Sequence, residues 1–273
     1  ACGANGMLLP DIPEQYGGGG LDFKFNSIVL EETAFAGTTG PAFGVHNDIV
    51  AHYIHNYATE AVKQKWLPQM ASGQAIGAIC MSEPSTGSDL KALRTKATPV
   101  EGGYKLNGSK TFITNGINAD VAVIAARVGD EQGAKAISLF VCGCDEPGFV
   151  KGRKLDKVGN RSSDTAEIFF EDVFIPQENL LGELGHGFIY MMKELPQERL
   201  SIAISCQAAA QHAYDITLDY VNERKAFGKS VMEFQNTRFG MADMRAKLQV
   251  GWSHLDACIE ALTNKELSTD QAA

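Results

Sequence analysis

The chain is short of the residues that mark several common functions. Its 273 residues include only six cysteines, scattered except for Cys142-Gly143-Cys144. That density does not build a disulfide scaffold, and two cysteines one residue apart with no second pair make a poor metal site. We read free thiols in a reducing compartment. Basic residues are outnumbered, 24 Lys and Arg against 33 Asp and Glu, for a formal net charge of −9. A nucleic-acid surface needs a basic field, so no nucleic-acid partner is expected. No apolar run approaches the ~20 residues that cross a bilayer as a helix, so no transmembrane segment is expected. Repeats and low-complexity tracts are missing, and no Ser-His-Asp or Cys-His constellation can be argued from spacing. His52 and His55 lie three apart on a predicted helix but have no acidic or cysteine partner at matching spacing for a metal.

What is present describes an ordinary globular protein, 44% hydrophobic and 21% charged, with room for one large core or two to three smaller ones. The chain opens on ACGANG without an initiator Met. It closes just after Ser268 and Gln271, whose spacing is a capping box opening another helix. Both ends read as cuts, so the sequence reads as an internal piece of a longer protein whose targeting signal is not observable.

Three zones follow from periodicity. Residues 1–75 read as helical: NSIVLEETAF, FGVHNDIVAHYIHNYA and ATEAVKQKWLPQMA carry apolar residues at three- and four-residue spacing, after a Gly17–Gly20 turn. Residues 76–182 read as strands, AIGAICMS, YKLNGSKTFITN, DVAVIAARV, AISLFVCG and AEIFFEDVFI, with a hairpin turn at Gly102-Gly103. So many short strands suggest a small barrel or sandwich. Residues 183–273 read as long helices, one from near Pro196 to Arg224 and one from about Phe234 to Asn264. The second carries Met241, Met244, Leu248, Trp252, Leu255, Ile259 and Leu262 on one face. Pro196 either opens the first of these helices or kinks it. Two such helices need further bundle partners to bury both apolar faces.

Four motifs carry potential chemistry. MSEPSTGSD (81–89) follows a predicted strand. Its hydroxyls, and Gly87, which lets backbone approach a ligand, suit a phosphate or polar ring. It is no P-loop, and alone it reads first as a surface turn. In KTFITNG (110–116), Phe112 and Thr114 alternate along a strand and are expected on one face. An aromatic beside a hydroxyl suits a flat heterocycle, although a half-buried barrel strand explains the pattern as well. ERKAFGK (223–229), with Gln235 beyond, makes a basic helix-end turn suited to a pyrophosphate, or simply a solvated helix C-terminus. Finally, Glu198 stands before Arg199 in KELPQERLSIAISCQAAAQ, at the head of an apolar helical stretch. Burying a carboxylate there is costly. Either Arg199 neutralises it, or it is a base held dry and aimed at a substrate proton.

The order MSEPSTGSD, KTFITNG, SDTAEIFFEDVFIPQENLLGE, QERL, ERKAFGK and Gln235 closely resembles the acyl-CoA dehydrogenase family over essentially the whole chain. The resemblance implies an α+β multidomain fold: an N-terminal helical domain, a middle β-barrel-like domain and a C-terminal helical bundle, the last incomplete here. It implies FAD as cofactor, acyl-CoA thioesters oxidised to trans-2-enoyl-CoA in fatty-acid β-oxidation, electron-transfer flavoprotein as acceptor, and a homo-oligomer, commonly a tetramer. The compartment would be the cytoplasm in a bacterium and the mitochondrial matrix in a eukaryote.

By that match, residues from Ile79 through Met81, Ser82 and Gly87 to Ser88 would hold the flavin and its pyrophosphate, with Ser88 also close to the acyl-CoA. Phe112 would pack on the isoalloxazine, where many relatives have Trp, with Ile113 beside it and Thr114 hydrogen-bonded near flavin N5. Arg224 and Gln235 would reach the FAD of a neighbouring subunit. Glu198 marks a subgroup. Most of the family places its catalytic glutamate later in the chain, whereas the long-chain and isovaleryl types use one directly before this arginine, and KELPQERL looks most like the long-chain type. Glu198 would then take the α-proton while flavin N5 takes the β-hydride, with Pro196, Gln197 and Arg199 lining the substrate side. A backbone N–H that helps stabilise the developing enolate, and the ADP end of the FAD site, would come from sequence past residue 273. Ile189 departs from the long-chain type, which has a tyrosine there. Two other readings use the same scaffold: a flavin-dependent oxidase of acyl-CoA or nitroalkane, the latter preferring Asp as base, and a catalytically silent binding or assembly protein.

Overall fold

The structure, a computed structural model, describes residues 1–38, 40–129 and 133–272, and for residue 269 only the backbone. Contacts divide it into two compact units. The first comprises 1–22 and 39–198, and the second 23–38 and 199–273.

The first unit is a sheet with helices on one face. After two short 3₁₀ turns the first unit forms a wide π-helical run, Gly44–Val50, which continues into α2 (Ala51–Tyr57) and is followed by α3 (Glu60–Ser72). Thr59 caps the latter, accepting from the Val62 N–H at 3.4 Å. The π-helical run buries polar side chains that act as ties. Asn47 bonds the backbone of both Met7 and Leu9. The His46 ring contacts the Met70 carbonyl at 3.1 Å through Nε2 and accepts the Gly77 N–H at 3.0 Å through Nδ1. Burial holds His46 below the ordinary histidine pKa, which favours this single neutral tautomer.

The strands are β1 (Gly77–Cys80), β2 (Lys96–Val100), β3 (Gly103–Thr114), β4 (Val121–Val128), β5 (Ile137–Gly143), β6 (Phe149–Lys154), β7 (Thr165–Pro176) and β8 (Leu180–Leu181). They follow the order β6-β7-β3-β2-β4-β5-β8, with β1 also on β4. The expected barrel is not closed by hydrogen bonds among the described residues: β6 and β8 end the path. The β2–β3 turn is Glu101-Gly102, one residue earlier than expected. Val100 pairs with Gly103, Gly102 takes the left-handed conformation, and a Cβ on Gly103 would run into the Ile175 carbonyl.

β4 and β5 are apolar almost throughout because both their faces are covered. Val121, Val123, Ala125, Leu139 and Val141 pack with Tyr53, Trp66, Leu67 and Met70 of the helices. The alternate residues Ala122, Ile124, Ala126, Phe140 and Cys142 pack with Leu106, Ile113, Ile168 and Val173 of the sheet's other side.

Strands β1 and β2 share one edge of β4. Cys80 pairs with Ile124, and Lys96 with Arg127. The segment 81–95 therefore leaves the sheet where the two strands part. A buried ion pair holds its base: Lys110 Nζ lies 2.9 Å from Glu83 Oε1 and donates to the Met81 carbonyl at 3.0 Å. Glu83 also accepts the Arg94 and Thr95 N–H groups.

The second unit is helical. It contains α1 (Phe23–Phe35), which falls in the first zone of the sequence, most of the 37-residue helix α4 (Gly187–Glu223), and α5 (Gln235–Thr263). Phe23 and Leu30 pack with Leu200, Ile204, Leu255 and Cys258. Met241, Leu248 and Leu255 of the expected face are buried, whereas Met244 is exposed. Helix α4 begins nine residues before Pro196, which lies in its interior. The Ser268–Gln271 capping box forms, with reciprocal bonds of 3.1 and 3.2 Å.

Because removing one partner strands a buried charge, Lys110→Ala should lower stability to urea by about 3–5 kcal/mol. A loss under ~1 kcal/mol would mean that the pair does not anchor the loop.

Candidate active site

The 81–89 loop buries Glu83 and exposes Ser85, Ser88 and Asp89. Glu83 and Thr86 pair through their backbones at 2.8 and 3.0 Å, and the Thr86 hydroxyl donates to the Ala92 carbonyl at 3.3 Å. Thr86 is thus structural. Ser85, Gly87 and Ser88 are exposed, while Ile79, Met81 and Ser82 are half-buried. A Cβ on Gly87 would meet nothing within 4 Å, so its backbone faces open space. The Ser82 carbonyl accepts the Thr111 N–H at 2.9 Å, tying the loop to β3.

Phe112 sits in a bulge. Between Lys110–Ile168 and Ile113–Ala166 the β3 strand spends one residue more than β7, and Phe112 takes a φ of 59°. The bulge interrupts the alternation at Lys110 and Thr111, which are both buried, while exposure from Phe112 to Thr114 still alternates around buried Ile113. A bulky residue rarely adopts this conformation. Here it leaves the ring 69% exposed, between buried Ile113 and Thr111, with Thr114 half-buried. The following turn is pinned by Asp164, which accepts the Ile117 N–H at 2.7 Å and the Asn118 amide at 2.9 Å.

In the second unit, α4 ends at Glu223 and the chain turns directly into a two-residue hairpin over 225–230. Lys225–Ala226 pairs with Lys229–Ser230, and Phe227 and Gly228 at the tip both have positive φ, as a type I′ turn requires. Arg224 and Gln235, on either side of it, are exposed.

Glu198 lies half-buried at the end of the first unit, near Pro196 and Gln197, which are also half-buried. Arg199 is exposed, and neighbouring helix positions point apart. The partner of Glu198 is Tyr53, whose hydroxyl donates to Oε1 at 3.0 Å. One turn earlier, buried Glu194 accepts from Tyr57 Oη at 2.7 Å and Asn56 Nδ2 at 3.0 Å. Gln197 donates to the Asp48 carbonyl at 2.9 Å, fastening α4 to the π-helical run. Burial first, and then the charge of Glu194, push the Glu198 carboxyl up to about 7, against the lowering effect of Tyr53. A carboxylate so placed has the proton affinity that a general base working near neutral pH requires. A separate cavity of about 370 Å³, lined by Phe43, His46, Asn115 and Asp164 among others, includes none of the predicted site residues.

Tyr53, Glu194 and Lys110 are absent from the site as read in sequence. Lys110 stands inside the KTFITNG motif, but nothing local ties it to Glu83. Tyr53 is 145 positions from Glu198.

Models of the N-terminal, middle and C-terminal domains of acyl-CoA dehydrogenases match residues 1–74, 78–173 and 185–273. The chain belongs to the acyl-CoA dehydrogenase family. It is 44% identical to the mitochondrial long-chain specific acyl-CoA dehydrogenase of Sus scrofa over its whole length, which is 64% of that relative. It superposes on an acyl-CoA dehydrogenase from Geobacillus kaustophilus with a TM-score of 0.96 and 45% identity, covering 99% of this chain and 72% of that one. A glutaryl-CoA dehydrogenase from Mycobacterium smegmatis, in complex with FADH2, has a TM-score of 0.91 at 28% identity, covering 99% and 68%.

The raised proton affinity has a cost with a definite sign. Between the ordinary glutamate value of 4.5 and about 7, the folded state holds a proton that the unfolded state has released, so this group's contribution to stability falls as pH rises through that window. Glu198→Gln should therefore stabilise the protein by on the order of 2 kcal/mol above that window and leave it unchanged below. Equal denaturation midpoints for the two proteins on both sides of the window would contradict the raised value.

Proposed function

We propose that the protein containing this chain is an FAD-dependent dehydrogenase that oxidises medium- to long-chain or branched acyl-CoA to trans-2-enoyl-CoA, with Glu198 as the base that removes the α-proton. The observation that carries this reading is the half-buried Glu198 carboxylate, held by a phenol and raised to about 7.

The residues present fit the cofactor. Exposed or half-buried hydroxyls and open backbone at Ser82, Gly87 and Ser88 suit the edge of a polar ring system and its phosphates. Phe112, held outward by its bulge, offers a ring for stacking, with Ile113 and Thr114 next in line. Bound FAD supplies the hydride acceptor. The chain supplies the binding surface and the base: Ile79, Met81, Ser82, Gly87, Ser88, Phe112, Ile113 and Thr114 hold the cofactor, and Ser88, Pro196, Gln197 and Arg199 border the substrate. Arg224 and Gln235 serve the cofactor of a neighbouring subunit in a homo-oligomer, in keeping with their exposure. Electron-transfer flavoprotein is the proposed acceptor.

A thioester α-proton is too weakly acidic for an ordinary carboxylate. Desolvation strengthens the base, and donors to the thioester oxygen stabilise the developing charge. Because Glu198 works in its charged form, the rate of flavin reduction should rise as pH increases through about 7. In the flavin-loaded protein, Glu198→Gln should retain FAD while acyl-CoA no longer bleaches it anaerobically. Full bleaching by that variant would sink the assignment of the base.

A further inference from the structure

Two neighbours of Glu198 have no role in the function as proposed. Tyr53 is fully buried and donates to Oε1, while Oε2 accepts no hydrogen bond among the described residues. Glu194 is buried and occupied by two uncharged donors, Tyr57 and Asn56. Tyr57 is itself fixed by stacking on Tyr190, with ring centroids 4.2 Å apart. Neither carboxylate is paired with a Lys, Arg or His among the described residues. The groups facing Glu198 in this unit are thus Tyr53 from the helix Ala51–Tyr57 and Glu194 from its own helix. Beyond Glu194 lie Tyr57 and His52, the latter already 2.9 Å from Asp11.

We propose that Tyr53 is a positioning residue that holds Glu198 through Oε1 and leaves Oε2 as the proton-accepting atom, with Glu194, one turn earlier, as a fixed carboxylate neighbour. The inference rests on reading Glu198 as the base. Its physics is an opposition. A hydrogen bond donated to a carboxylate favours the charged form, whereas a like charge nearby disfavours it. Tyr57 and Asn56 give Glu194 the hydrogen bonds it needs to stay in place without a counterion that would cancel its field. Phenol and carboxylate therefore set the working range of the base from opposite sides. The phenol also fixes its orientation, since one oxygen is tied and the other free.

The test is an infrared pH titration of the flavin-loaded protein, taking the Glu198 carboxyl band as the one missing from Glu198→Gln. Tyr53→Phe should raise the midpoint by about one pH unit and Glu194→Gln should lower it by less. The pH dependence of flavin reduction by acyl-CoA should move with each, leaving KM within about twofold. Difluorotyrosine at position 53 keeps the ring in place and strengthens the donor, so it should lower the midpoint, and it serves if Tyr53→Phe fails to fold. Midpoints unmoved by these changes overturn the proposal even if Glu198→Gln is inactive. An active Glu198→Gln instead removes the base itself, whatever the midpoints do.

Discussion

The hydrogen bond from Tyr53 to Glu198 is the constraint around which the first unit is organised. It takes a carboxylate largely out of water and gives it a phenol where a cation would be the ordinary solution. A cation would pull the proton affinity down and leave a weak base. A phenol supplies one hydrogen bond and no charge, so burial dominates, with Glu194 adding to it. Such an arrangement is costly and persists only if both helices are held firmly. Gln197 ties α4 to the π-helical run, and Asn47 and His46 tie that run to the N-terminal segment and to β1. The buried polar groups of the π-helical run are thus the supports of Glu198.

The sheet solves a different problem, that of holding a hydroxyl-bearing loop on a rigid frame. Because β1 and β2 share the edge of β4, the chain between them must leave the sheet there. The Lys110–Glu83 pair anchors the base of that excursion through a buried ion pair. The same strand that contributes Lys110 then bulges and pushes Phe112 into solvent. Loop and ring are therefore positioned by one stretch of β3, which explains why the two motifs occur together.

Much of this was legible in the sequence, for identifiable reasons. Strands β1, β3, β4, β5 and β7 stand out by their β-branched and aromatic content, and α5 by its seven-residue spacing of Met241, Leu248 and Leu255. The missed strands lack those signals. β2 carries Pro99, tolerated because only Lys96 and Ala97 pair with β4. β6 is a charged edge strand, and β8 has two residues. Pro196 reads as either a helix opener or a kink, and it lies inside α4, nine residues past its start. The order of motifs revealed the family, and with it Glu198. The partners of Glu198 stayed hidden because tertiary structure, not spacing, brings Tyr53 to it. The bulge at Phe112 stayed hidden because alternation is the default assumption for a strand.

The central claim is that Glu198 removes the α-proton of an acyl thioester. It is tested most directly by following solvent deuterium into the α-carbon of acyl-CoA by mass spectrometry, in the flavin-loaded protein and its Glu198→Gln variant. The account predicts incorporation catalysed by the unaltered protein, faster as pH rises through about 7, and none above background in the variant. Undiminished incorporation by the variant would contradict it.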